Sequence, residues 1–382
     1  MTKPIYLDYN ATTPIDPRVR DAMLPFLGEQ FGNPSSNYVY GQHLNEAVTR
    51  ARAQVAGLIG AGPDEVVFTG GGSESDNHAI IGVALANAET GKHIITSRIE
   101  HPAVLNACRY LEKRLGFRVT YLHVDGSGLV DAEDVRKAIT GDTVLITLMH
   151  ANNEVGTVGP IEEVGSIARE RGVLFHTDAA QSCGKIPVDV NRLNVDLLAI
   201  AGHKLYAPKG IGALFIKRET RIDPIIHGGG QEVGRRAGTE NVPYIVGLGA
   251  ACEIAGGLLP GFQEKARRLR DRLHDRIVEG MGQERVKLNG HPERRLPNTL
   301  NVSINGIVGE ELLGRIPELA SSTGSACHAG STDPSEVLLE MGLDRDLALG
   351  ALRLSLGRWS TEEEIDTAGG LIVERAKSLV AA

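Results

Sequence analysis

Short apolar, β-branched runs alternate with longer segments of helical period through the first part of the chain, and that alternation leaves few folds open. Candidate strands are EVVFT (65–69), HIITS (93–97), FRVTYLHV (117–124), TVLITLM (143–149), VLFHT (173–177), DLLAIA (196–201) and IGALFIK (211–217). Strands separated by helices predict βαβ units around a mostly parallel sheet, here seven strands in one large α/β domain. With 382 residues the chain is long enough for that domain and a smaller companion, and a chain of this size needs neither disulfides nor a structural metal. The pattern changes after residue 256, where GGLLPG precedes EKARRLRDRLHDRIVE, with Leu269, Leu273 and Ile277 on one helical face. The expected organisation is a large domain over 15–256 and a small α+β domain made of 1–14 and 257–382. Near the end, Thr361 and Glu364 have the spacing of a capping box, ahead of an apolar stripe formed by Ile365, Ala368, Ile372, Ala376 and Leu379.

Charge and cysteine usage narrow the function. The formal charge is -8 with both signs interspersed, which argues against nucleic acid or an anionic membrane and for a small-molecule substrate. The arginines of EKARRLRDRLHDRIVE sit among Asp271 and Asp275 and read as a solvated face. No apolar run is expected to approach a membrane span, and MTKPIYLDYN lacks the pattern of a secretion signal, so a cytoplasmic protein is expected. Cys108, Cys183, Cys252 and Cys327 form no CxxC pair, and no two histidines stand three or four apart. No metal site is expected.

Glycines cluster at TGGGSES, HGGGQE and TGSACHAG, three candidate ligand loops of one composite site. In FTGGGSESDNHAI a strand runs through glycines into a helix, so the N–H groups of Gly72, Ser73 and Glu74 can cradle a phosphate, although a ligand-free turn has the same look. The spacing matches neither the dinucleotide nor the mononucleotide glycine motif. HTDAAQ places Asp178 at one strand tip and GHKLYAPKG places Lys204 at the next. Taken alone, Asp178 reads sooner as a helix cap or a surface carboxylate, but an acid and a lysine on neighbouring tips can address opposite ends of pyridoxal phosphate, which needs a lysine Schiff base and a carboxylate at its ring nitrogen. Lys209 is a rival for Lys204 but lies beyond Pro208 in a turn. In LRLSLGR the leucines at 352, 354 and 356 alternate with Arg353 and Ser355, so leucines facing a core point Arg353 into the cleft. Arg358 has the leucine parity and is the poorer candidate. A buried structural ion pair is the alternative for Arg353.

YLDYNATTP (6–14), FGNPSS (31–36), EHPAV (100–104), ANNEVG (151–156), HTDAAQ, GHKLYAPKG, GGGQEVGRRAGTEN (228–241), TGSAC (323–327) and LRLSLGR (352–358) resemble, in order and along nearly the whole chain, the motifs of cysteine desulfurases. These are pyridoxal-phosphate enzymes of the class V aminotransferase group with the fold type I architecture. The resemblance implies that Lys204 bonds the cofactor and later shuttles protons, and that His101 stacks on the ring and takes part in acid/base steps. Asp178 is implied at the ring nitrogen and Gln181 at the ring hydroxyl. Gly72, Ser73 and His203 are implied at the phosphate, which Thr239 reaches from a second subunit, making the protein a homodimer. Arg353, assisted by Asn153, is implied to bind the substrate carboxylate.

By the same resemblance Cys327 is the nucleophile, converting L-cysteine to L-alanine and carrying the sulfur as a persulfide to an acceptor such as an iron–sulfur scaffold or a thiolation relay. Cys108 and Cys252 read as small buried hydrophobes and Cys183 has no implied role. His328 beside Cys327 is a candidate for favouring its thiolate. Two departures stand out: Ser73 replaces a common threonine, keeping the hydroxyl, and Ala201 stands where many members have a phosphate-contacting serine. AIAGHKLYAPKGIGALF, RLPNTLNVSI (295–304) and His328 are also similar to selenocysteine lyases, so L-selenocysteine stays open as a substrate. An aminotransferase and a non-catalytic scaffold are the remaining alternatives.

Overall fold

The protein is described here by a computed structural model covering residues 3–324 and 333–380. Its twelve strands, among the described residues, are β1 (Ile5–Tyr6), β2 (Val66–Thr69), β3 (His93–Ser97), β4 (Arg118–Leu122), β5 (Thr143–Thr147), β6 (Leu174–Asp178), β7 (Leu197–Ala201), β8 (Gly212–Ile216), β9 (Val286–Leu288), β10 (Thr299–Ile304), β11 (Leu319–Ala320) and β12 (Ala351–Ser355). Strands β2 to β8 form one sheet in the order β2-β8-β7-β6-β5-β3-β4. Strands β3 to β7 pair parallel, while β8 is antiparallel to both of its neighbours. The expected runs coincide with these strands to within a residue or two at each end.

Helices cover both faces of this sheet, which is why its strands read as continuous apolar runs. Successive residues alternate between the two sides: Ile95, Ile146, Phe175 and Leu198 belong to one core, and Ile94, Leu145 and Leu197 to the other. A parallel sheet covered in this way opens only at its strand ends, and the loops after the carboxyl ends are where ligands bind.

A third core lies beyond the sheet. It takes in the leucines of β12, Leu300, Val302 and Ile304 of β10, and Ile365, Ala368, Ile372 and Ala376 of the last helix, Glu362–Val380. That helix begins with a reciprocal cap, in which Glu364 N–H donates to Thr361 Oγ1 and Thr361 N–H to Glu364 Oε2. β9, β10 and β12 form an antiparallel sheet, and β1 pairs with β11.

One helix, Val242–Met281, spans the expected domain boundary, running through GGLLPG with Pro260 inside. Its first half packs Ile245, Leu248 and Cys252 into the large-sheet core, and its second half packs Leu269, Leu273 and Ile277 into the third core. Burial at both ends outweighs a proline penalty of about 3 kcal/mol. The same helix is long and apolar enough, by length and composition, to cross a membrane, against the expectation that no run approaches a span. Its two apolar ends are taken up by those two cores, while Leu258 between them is exposed. Arg270 also departs from a solvated face, since it is buried and donates to the Leu296 carbonyl.

The contact between Val39–Ile59 and the long helix is tight at one glycine. A Cβ at Gly249 would lie 2.6 Å from Ala51 Cα and 2.7 Å from Ala51 Cβ. Gly249→Ala gains about 1 kcal/mol in helix propensity, but the added carbon must push two backbones apart, which costs about 1–3 kcal/mol. The expected net result is a lower urea midpoint, and an unchanged or raised midpoint would show that the helices can separate freely.

Candidate active site

The loops that follow β2, β3, β5, β6 and β7 surround a cleft of about 550 Å³. Lys204, Asp178, His101, Ser73, Asn153 and Arg353 all line it. Gln181, His203 and Gly72 line it too, whereas Thr239 is exposed and does not. Cys327 and His328 lie outside the described residues.

At the β2 end, Gly71 adopts φ +151°, a conformation L side chains rarely take, and the helix Gly72–Asn77 starts immediately after it. The N–H groups of Gly72, Ser73 and Glu74 are in its first turn, where no intrahelical acceptor exists. A Cβ at Gly72 would come to 3.0 Å from Ala201 Cβ, so Gly72 keeps the cradle open and Ala201 stands at its wall. His203 packs beside it with Nδ1 3.1 Å from Thr12 Oγ1. Burial and the neighbouring Lys204 push the His203 imidazole down to about 4, so it stands neutral.

Lys204 directly follows β7 and donates from Nζ to the carbonyls of Asn10 at 2.6 Å and Ala11 at 2.8 Å. Lys209 sits at the exposed rim. One strand over, Asp178 ends β6 and accepts from the Ala180 N–H at 2.8 Å. Three buried carboxyl groups, Asp178, Asp76 and Glu100, influence one another here. Burial raises all three; hydrogen bonds from Ser97 and the Met149 N–H oppose it at Glu100, and besides a backbone N–H, Asp178 alone has His101 and Lys204 opposing it. It is therefore the member best able to stay anionic. Asp76 is held well above the usual carboxylate range by burial and by its two acidic neighbours. Below it, His176 reaches Asp76 at 3.6 Å and Thr147 at 2.8 Å.

His101 caps the helix Pro102–Leu115, its Nδ1 accepting from the Ala103 N–H at 3.1 Å. With burial lowering its basicity, partly opposed by Asp178, the ring is neutral and carries its proton on Nε2. Arg353 projects opposite the leucines of β12, as their alternation requires, and is 1% exposed. It donates to Asp8 at 2.8 Å and to the Asn153 carbonyl at 3.2 Å. The buried ion pair and the cleft-lining position thus coexist. Its Nε has no partner among the described residues. Arg358 is occupied elsewhere, over the Tyr206 ring and against Asp16.

Described residues on either side of 325–332 are tied to this side of the cleft. Ser322 Oγ donates to Asp8 at 3.3 Å, and Ser335 Oγ donates to Glu154, next to Asn153, at 2.5 Å. Cys108, Cys183 and Cys252 are buried free thiols, and burial pushes each of them up.

Sequence reasoning assigned no role to Asp8, Asn10, Asp76 or Lys185. Asp8 and Asn10 lie inside YLDYNATTP, and Asp76 inside the glycine-loop motif. Each motif was visible, but the direction of its side chains was not.

The chain belongs to the aminotransferase class-V family, whose model matches residues 5–367. It is a pyridoxal-phosphate enzyme with the fold of that class. It is 49% identical over 380 residues to cysteine desulfurase IscS of Methanosarcina thermophila, covering 99% of this chain and 93% of that one. Against cysteine desulfurase IscS of Clostridium botulinum it is 50% identical over 370 residues, covering 96% and 92%. Among solved structures it superposes on a NifS-like protein with TM-score 0.90 at 39% identity, over 98% of this chain and all of the other. SspA in complex with cysteine matches with TM-score 0.83 at 40% identity, over 93% and 99%.

The residues present suit the cofactor. The cleft offers an open first-turn anion cradle, an amine on one strand tip and a carboxylate on the next, with room between them.

Glu100 gives a pH test of this buried cluster. It accepts from Ser97 Oγ at 2.5 Å, and burial pushes it from 4.5 up to about 8. The folded state holds its proton where the unfolded state has lost it, so its contribution to stability falls as pH rises through that window. The stability of Glu100→Gln relative to wild type is expected to rise by about 2–4 kcal/mol between pH 5 and pH 8.5 in urea titrations. A constant difference would mean that Glu100 is ionised in the fold.

Proposed function

We propose that this chain is a cysteine desulfurase, taking L-cysteine and an enzyme thiol to L-alanine and an enzyme persulfide. The observation that carries this is the pairing of Lys204 and Asp178 on adjacent strand tips with Arg353 across the cleft, in a chain half identical to proteins of that name. When bound, pyridoxal phosphate supplies the electron sink that makes the substrate's bonds labile.

The chain's own groups do the rest. Gly72, Ser73 and His203 would hold the phosphate, Lys204 would supply the amine for the aldehyde, and Asp178 would stand as the carboxylate for the ring nitrogen. Gln181 would donate to the ring oxygen. His101 would pack against the ring, with its N–H at Nε2. Arg353 takes the substrate carboxylate, with Asn153 beside it, and the buried setting strengthens that pairing. Lys204, displaced by substrate, moves protons at the reacting carbon. Cys327 attacks the substrate sulfur as a thiolate: its S–S bond forms as the substrate's C–S bond breaks, and the carbon is then protonated to alanine. Ser322 and Ser335, on either side of its segment and tied at Asp8 and Glu154, support that placement.

The working form is a homodimer. Leu24, Leu27, Phe31, Tyr38, Val39 and Tyr40 are all exposed within one stretch, a surface suited to a second copy, and Thr239, away from its own cleft, is then supplied to the partner's phosphate. Residues 15–256 form the cofactor domain, and 1–14 with 257–382 the domain that carries Cys327 and Arg353. The buried free thiols suit a reducing compartment, the cytoplasm. The persulfide passes to a sulfur-acceptor protein, an iron–sulfur scaffold or a thiolation relay.

Alanine release from L-cysteine and from L-selenocysteine, in wild type and in Cys327→Ala, tests the reaction. Wild type is expected to use cysteine, and Cys327→Ala to lose at least about 100-fold on cysteine, the scale of a lost covalent catalyst. Activity on selenocysteine alone would replace the reading with a selenocysteine lyase.

The cradle wall gives a second prediction. Ala201→Ser places a hydroxyl beside Gly72, and one added hydrogen bond to the phosphate is expected to tighten cofactor binding by about 5-fold. Absorbance titration of the apoprotein measures it, and weaker binding would show that the wall has no room for the oxygen.

A further inference from the structure

Lys185 is a fully buried lysine that the reaction above does not use. It is 5% exposed, and among the described residues it has no ion pair. Its Nζ donates to two neutral oxygens, Gln181 Oε1 at 2.6 Å and Asn10 Oδ1 at 3.1 Å. Around it stand Lys204, Arg353, His203 and Cys183, with no carboxylate acting on it. A lysine kept in such a place costs desolvation that an apolar residue avoids. Burial lowers its basicity strongly, yet the amine donates two N–H bonds in either protonation state.

The direction of the network follows from this donor and from the Asn10 carbonyl. That carbonyl can only accept, so the Gln181 amide nitrogen must face it, and the Gln181 oxygen then faces Lys185, whose N–H it accepts at 2.6 Å in either protonation state. The Gln181 nitrogen donates one hydrogen to the Asn10 carbonyl at 3.0 Å. Its second hydrogen remains for the cleft, which Gln181 lines together with Lys204. A flipped amide would set the Gln181 oxygen against the Asn10 carbonyl and take from Lys185 the oxygen it donates to.

We propose that Lys185 is a positioning residue: it fixes the Gln181 carboxamide with its N–H edge toward the ring oxygen of the bound cofactor, and through that bond it keeps the cofactor–Lys204 linkage acidic. This rests on the reading of Gln181 given above. An N–H donated to the ring oxygen stabilises the form with less positive charge, so losing it raises the pH at which the linkage gives up its proton.

The test is the spectrophotometric pH titration of the holoenzyme's bound chromophore in wild type, Lys185→Met, Gln181→Leu and the double variant. Lys185→Met is expected to raise the midpoint by about one pH unit, the size of one hydrogen bond to a charged group. Gln181→Leu is expected to raise it similarly, and the double variant no further than either single change. Lys185→Gln, polar but too short to reach Gln181, is the second loss variant and is expected to match Lys185→Met if the latter folds poorly. A stability loss with an unmoved midpoint would make Lys185 purely structural and overturn the proposal. Additive shifts in the double variant would overturn it too, because Lys185 would then act by its charge alone. If Gln181→Leu leaves the midpoint in place while Lys185→Met moves it, the earlier reading of Gln181 fails and this one with it. A wild type without a titrating chromophore refutes the cofactor reading itself.

Discussion

Asn10 is the residue on which the geometry of the cleft depends. Its backbone carbonyl accepts from Lys204 and Gln181, and its side-chain oxygen from Lys185 and Asn298. Its own amide donates to Thr299 and to the Asn153 carbonyl, and its backbone N–H to Ser355. Thr299 and Ser355 belong to strands of the third core, whereas Lys204, Gln181 and Lys185 stand on the large sheet. A single buried asparagine therefore joins the two halves of the cleft, with each atom used in the only sense its chemistry allows. Arg353 and Lys204, one on each side of this joint, line the same cleft.

The same economy explains the buried charges. Burial raises Asp178, opposed by the Ala180 N–H, His101 and Lys204, whereas Asp76 and Glu100 have no cationic neighbour acting on them and are raised further by acidic ones. Of the three acids, the one set beside His101 and Lys204 is the carboxylate at the tip of β6, which favours its charged form over that of its neighbours.

The seven strands of the sheet were legible because a parallel sheet covered on both faces must be apolar along its whole length, and runs such as HIITS and DLLAIA have that character. Arg353 was legible for a related reason, since alternation against three leucines fixes a side even before its partner is known. The continuity of Val242–Met281 was not, because Gly256, Gly257 and Pro260 are ordinary punctuation in water and are overridden here by burial on either side. Lys185 was equally hidden. In sequence it is one lysine in a turn, and only the packing of Asn10 against Gln181 gives it an environment. The acid cluster was half visible: Asp178 followed from its strand, but Asp76 and Glu100 come from other loops and meet it only in three dimensions.

Arg353 shows how substrate binding and loop placement share one group. Its guanidinium is paired with Asp8, and Asp8 also accepts from Ser322, at the start of the stretch that leads to Cys327. A substrate carboxylate arriving at Arg353 meets a guanidinium already half neutralised and oriented, with Nε lacking a partner among the described residues. Asp8 therefore weakens the attraction for any carboxylate and preserves the geometry for one that docks on the free edge. In a low-dielectric cleft an unpaired arginine would be costly to fold and would bind indiscriminate anions. Pairing it with an acid trades affinity for a fixed direction of approach, and on the proposed reading of Arg353 that direction lies on the side of the cleft where Ser322 and Ser335 are tied.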